Sequence, residues 1–106
     1  MNLDEYQLEA AKTAIYPPGS YAYLALGING EAGEVAEIIK RSIRSGKPLK
    51  EADIAALKKE LGDCLWYVAN LAREAGLSMS SVASENLGKL RSRQERGNLE
   101  GKGDER

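Results

Sequence analysis

An all-α domain is the fold class this sequence predicts, and three observations predict it. Apolar residues recur at helical spacing, most plainly at Leu57, Leu61, Leu65, Val68 and Ala72. Glycine and proline stops divide the chain into four stretches of helical length. Strand-like alternation and internal repeats are absent.

The first helix is expected from Asp4, as N-cap, to about Ile15, ending before Tyr16-Pro17-Pro18-Gly19. Its apolar positions are Leu3, Tyr6, Ala10 and Ala14. The second runs from about Ser20 to about Arg44 and closes at Ser45-Gly46-Lys47-Pro48. Gly27, Gly30 and Gly33 weaken its first half, each by about 1 kcal/mol relative to alanine, so a break or bend is expected near Asn29-Gly30. The third spans about Glu51 to Ala75, with Gly76 as its stop, and the fourth starts at Ser78 or Ser80 and fades near Arg96-Gly97. Residues 1–96 thus form one helical domain, and 97–106 a polar, glycine-rich tail without periodicity.

Trp66, Tyr67, Ala69 and Leu71 cover the third helix on the sides its leucine stripe leaves free. A helix apolar nearly all round is buried on more than one face. A domain of this size buries only about 60–65% of its unfolded surface, so a homo-oligomer, at least a dimer, is expected to complete the four-helix bundle.

Composition narrows the chemistry. With no histidine among 106 residues, Ser-His-Asp and Cys-His catalysis and histidine metal sites are excluded. The single Cys64, in an apolar run, allows no internal disulfide or thiolate zinc cluster and reads as an inert thiol. The formal net charge of -1 argues against duplex nucleic acid as partner. No apolar run reaches the roughly 20 residues needed to span a bilayer, and no leader-like segment opens the chain. A soluble, cytoplasmic protein is expected.

Four carboxylates stand out. Leu24, Ile28, Val35, Ile38 and Ile39 share one face of the second helix, with Glu31 in the middle of that arc, Glu34 at its edge and Glu37 outside it. An ionised carboxylate on a core-facing stripe must be paired, protonated or bound to a metal. The third helix repeats the pattern with Glu60 and Asp63 at i, i+3. A glycine lies within each acidic pair, where bulk is removed and something is able to approach the backbone. A helical hairpin sets the two pairs face to face. Four such acids, all hard oxygen ligands, favour Mg²⁺ or Mn²⁺. The ordinary alternative is solvated surface acids with Lys58 and Lys59 as partners. On the fourth helix Asn86, Lys89 and Arg93 share one side, either as a solvated basic face or as a site for a polyphosphate. Lys40, Arg41, Arg44 and Lys47 suit the C-terminus of the second helix.

The runs Gly-Glu-Ala-Gly-Glu-Val at 30–35 and Glu-Leu-Gly-Asp-Cys-Leu-Trp-Tyr at 60–67, with Asn86, Lys89 and Arg93, resemble the MazG-like nucleotide pyrophosphohydrolases of the all-α NTP pyrophosphatase superfamily. The likeness covers roughly residues 13–96. It implies a helical-bundle dimer or tetramer that hydrolyses a (d)NTP to monophosphate and pyrophosphate. Glu31, Glu34, Glu60 and Asp63 are the implied metal-binding and catalytic residues, holding two or more Mg²⁺. Lys89 and Arg93 are the implied phosphate ligands, with Asn86 beside them. Trp66 and Tyr67, and also Tyr16, Tyr21 and Tyr23, are candidates to stack on the base, with core or interface packing the alternative for Trp66 and Tyr67. A dUTPase or phosphoribosyl-ATP pyrophosphatase would share the metal site, and a non-catalytic dimerisation or nucleotide-binding module would share the bundle. The tail Gly101 to Arg106 resembles a Gly-x-Gly-Asp-x-Arg ending of some small members.

Overall fold

A computed structural model describes residues 1–97, 100, 101, 103 and 104. Four helices follow in order, α1 (Leu3–Ala11), α2 (Tyr21–Ser45), α3 (Glu51–Glu74) and α4 (Met79–Glu95), with no strand among the described residues. α2 and α3 form a long helical hairpin. α1 lies on α3, and α4 packs on α1 and α3 but not on α2.

The helix ends follow local chemistry, with three departures from expectation. Asn2, not Asp4, caps α1: its Oδ1 accepts the Glu5 N–H at 2.8 Å, while the Glu5 carboxylate accepts the Asn2 N–H. Asp4 instead reaches across the chain to α4, where its carboxylate accepts the Ser80 N–H at 2.9 Å and the Ser80 hydroxyl at 2.6 Å. These bonds hold the Asp4 carboxyl below its ordinary value. α1 also stops four residues short of Ile15, which is 97% exposed and leaves nothing apolar to bury. α2 runs unbroken through Asn29-Gly30, because its face against α3 outweighs the glycine penalty. Gly46, at φ 68°, closes it in the left-handed region.

A buried glutamine that the sequence did not announce ties three elements together. Gln7 donates through Nε2 to the Leu77 and Ala69 carbonyls and accepts the Met79 N–H, joining α1 to the end of α3 and the start of α4. The segment between α1 and α2 is pinned to the same end of α3. Tyr21 donates to the Glu74 carbonyl, and Glu74 Oε2 accepts the Gly19 N–H. Tyr16 bonds Asn70, Glu74 and Arg73.

The core is small. Ala10, Leu24, Ile38, Ala69, Ala72 and Met79 are its buried apolar residues. The expected stripe of α3 is corrected here: Leu61 (52% exposed) and Leu65 (37%) face outward, while Ala69, Asn70 and Ala72 are the buried positions. Small side chains let α1 approach α3 closely, and no helix of this chain covers the leucines. Ile54 on α3 and Leu26 and Ile43 on α2 are also more than half exposed. The accessible surface of 7697 Å² compares with about 5,800 Å² for a compact monomer of this mass. The radius of gyration is 16.6 Å, against about 13 Å for a compact domain of about 100 residues. No described helix is long and apolar enough to cross a membrane.

Candidate functional site

Gly27 and Glu31 lie one turn apart on α2, as Glu60 and Asp63 do on α3. The α2–α3 hairpin turns both sets toward each other. Glu31, Glu60 and Asp63 each present a carboxylate oxygen within 4.8 Å of the other two. Glu31 and Glu60 are half-buried and Asp63 is exposed, so the cluster opens to solvent at one side. Among the described residues no basic side chain forms an ion pair with any of the three. Lys58 and Lys59, the ordinary partners, do not approach them.

That geometry shows in the protonation of Glu31. Burial raises its carboxyl above the ordinary glutamate range, a shared hydrogen bond with Glu60 adds to this, and the charges of Asp63, Glu60 and Glu34 add further. The field reaches Cys64, whose thiol is pushed up by burial first and then by Glu31, Asp63 and Glu60, in keeping with an inert cysteine. Glu34 is exposed and lies outside the three-acid cluster, although its charge is felt at Glu31.

Beside the acids lies a cavity of about 330 Å³ lined by Thr13, Glu31, Asp63, Trp66 and Tyr67. Its aromatic wall is continuous. Trp66 and Tyr67 meet edge to face at 5.0 Å, Tyr16 stands edge-on to Trp66 at 6.2 Å, and Tyr23 stacks on Tyr16 at 5.7 Å. Trp66 donates its indole N–H to the Thr13 hydroxyl at 2.7 Å, which fixes the ring. Burial, and then the Tyr23 hydroxyl, raise the Tyr67 phenol. Tyr21 is committed elsewhere, to the end of α3.

A Cβ placed on Gly30, Gly33 or Gly62 meets nothing within 4 Å, so the space beside these glycines is open. Gly27 is the glycine in contact, since a Cβ there would fall 2.1 Å from the Tyr67 ring. Thr13 gave no signal in the sequence, whereas Gly27, on the same face as Glu31, was readable as a contact position. Finally, no residue of α4 lines this cavity: Asn86 is exposed, and Lys89 and Arg93 point to the tail, because α4 rests on α1 and the far end of α3. A larger cavity of about 520 Å³, near the hairpin tip, is lined by Arg41, Arg44, Lys47 and Lys50 among others and holds none of the acids.

Three converging carboxylates without a cationic partner, half-buried and open on one side, suit a hard divalent cation with room for oxygen ligands from elsewhere. The family model for the MazG nucleotide pyrophosphohydrolase domain matches residues 20–97, and the chain belongs to that family. It is 40% identical to the Gene 37 protein of Mycobacterium phage L5 over 114 aligned positions, covering 100% of each chain. No solved structure matches.

The raised Glu31 carboxyl makes a signed prediction for the metal-free protein. Its proton is held more tightly folded than unfolded, so that contribution is fully present below the ordinary glutamate pKa. It is lost as pH rises through the raised value. Glu31→Gln should therefore raise the melting temperature at pH 7 in EDTA by roughly 2–5 °C. The advantage should shrink toward zero near pH 4, as thermal melts across pH will show.

Proposed function

For this member of the MazG nucleotide pyrophosphohydrolase family we propose hydrolysis of a nucleoside triphosphate to the monophosphate and pyrophosphate, at the site formed by Glu31, Glu60 and Asp63. The observation that carries the reading is the convergence of three carboxylate oxygens within 4.8 Å with no ion pair to a basic residue among the described residues. The donor set, oxygen only, fits Mg²⁺ or Mn²⁺. Such ions supply charge neutralisation at the phosphates and a bound water acidic enough to act as nucleophile near neutral pH.

The chain's own residues do the rest. Glu31, Glu60 and Asp63 hold the cations, and Glu34, at the rim, accepts a proton or a second ion. Trp66 and Tyr67, with Tyr16 and Tyr23 behind them, offer an aromatic face for the base beside the acids. Thr13 fixes the Trp66 ring, its hydroxyl accepting the indole N–H while donating to the Ala10 carbonyl. Lys89 and Arg93 take phosphate charge, supplied from α4 of the same or a neighbouring copy. Attack of water at the α-phosphorus, with pyrophosphate departing, completes the proposed reaction.

We also propose a homodimer formed through the outward apolar residues of α2 and α3. The excess surface and the exposed Leu26, Ile43, Ile54, Leu61 and Leu65 support it. Sedimentation equilibrium at micromolar concentration should give at least twice the 11.5 kDa chain mass, and a monomer would reject the dimer.

Activity is tested with an NTP and dNTP panel, with and without Mg²⁺, read by product identity. Monophosphate and pyrophosphate should appear in equal amounts, only with the metal. Glu31→Gln, Glu60→Gln and Asp63→Asn should each lower turnover by about 100-fold or more, and Glu34→Gln by about tenfold. A panel with no metal-dependent product from any nucleotide would favour a binding module instead.

A further inference from the structure

Two of the three cations of α4, Lys89 and Arg93, have a ligand within their own chain. Lys89 Nζ lies 2.6 Å from Asp104 Oδ1, and Arg93 Nη2 lies 2.9 Å from the same oxygen. Arg93 Nη2 also donates to the Asp104 backbone carbonyl. Arg93 is only 4% exposed, and its Nε is buried without a hydrogen-bond partner among the described residues. The backbone explains how the tail returns. α4 ends at Glu95, and Gly97 (φ 74°) and Gly103 (φ 83°) both take the left-handed region. Left-handed glycines reverse the chain without steric strain, and residue 104 lies against residues 89 and 93.

One carboxylate oxygen shared by an ammonium and a guanidinium is the arrangement a phosphate oxygen would adopt on the same pair. The Asp104 side chain is 74% exposed, so its bonds sit at the solvent boundary. The Lys89 pair, with both partners open to solvent, is weak, whereas the Arg93 pair has one buried partner. Such a contact occupies the cations without locking them, and the unpartnered Nε leaves Arg93 with a donor that Asp104 does not use. The Lys89 bond first, and then the Arg93 bond, hold the Asp104 carboxyl below its ordinary value, so it is charged at neutral pH.

We propose that the C-terminal segment is an intramolecular competitor for the Lys89–Arg93 anion site, with the Asp104 carboxylate holding both cations until a phosphate group displaces it. This rests on the reading of Lys89 and Arg93 as phosphate ligands. The segment then tunes how tightly a polyphosphate is held, and its displacement couples ligand arrival to release of the tail.

The test is calorimetric titration of inorganic tripolyphosphate into the full chain in EDTA, so that no carboxylate-bound metal contributes. Circular dichroism checks the fold of each variant. Asp104→Asn should bind about three- to tenfold tighter than the unsubstituted protein, the worth of one or two ion pairs at the solvent boundary. Glu100→Gln removes the same charge from the tail without touching the pair, and should stay within about twofold. Lys89→Ala should weaken binding by about fivefold or more. Unchanged or weaker binding by Asp104→Asn, while Lys89→Ala still weakens it, overturns the competitor and leaves the phosphate ligands standing. Absent binding, or a Lys89→Ala variant that binds normally, overturns both.

Discussion

Charge repulsion among Glu31, Glu60 and Asp63 is the constraint on which this molecule turns. Two unit charges separated by about 4.8 Å repel by about 3 kcal/mol at an effective dielectric near 20, before screening by salt. The α2–α3 hairpin holds three carboxylates in that relation with no lysine or arginine among them. Protonation offers one relief, and the raised Glu31 carboxyl is its trace. A divalent cation offers the other, and it leaves all three acids charged and oriented. The fold keeps acids together that destabilise it when empty, as expected where stability yields to a binding site.

The rest of the architecture serves that hairpin. α1 and the connection to α2 lock the C-terminal end of α3 through Gln7, Tyr16 and Tyr21, a polar clamp in place of a large core. This fixes Thr13 and Trp66 beside the acids and gives the cavity one rigid wall. Gly27 admits the Tyr67 ring against α2, so the aromatic wall and the acidic wall meet at one position. Outside this region the chain is sparsely buried, and several leucines and isoleucines face outward.

What was legible in the sequence follows from which forces are local. Helix number and approximate ends came from periodicity and glycine stops, which act within a few residues. Glu31 was readable as anomalous because its apolar neighbours on α2 fix its direction, and Glu60 and Asp63 because one helix carries both. Glu34 drew on family likeness, and the structure leaves it outside the cluster. The leucine stripe misled at Leu61 and Leu65 because periodicity identifies an apolar face without saying which neighbour covers it; of that stripe Ala72 is buried, beside Ala69 and Met79. Gln7, Thr13 and the Asp4–Ser80 bonds depend on partners more than 50 residues away, beyond any local pattern. The tail read as an open polar segment; part of that expectation falls on residues 98, 99, 102, 105 and 106, outside the described residues. Where the chain is described, Asp104 pairs with Lys89 and Arg93 of α4, a contact that no local pattern announces.

The most direct measurement of the central claim is Mn²⁺ binding without nucleotide, followed by electron paramagnetic resonance of the free ion. The account predicts saturable binding by the unsubstituted protein, strong loss in a Glu31→Gln/Asp63→Asn double variant, and retention in Glu37→Gln, whose acid lies outside the cluster. Equal Mn²⁺ binding by the double variant and the unsubstituted chain would contradict it.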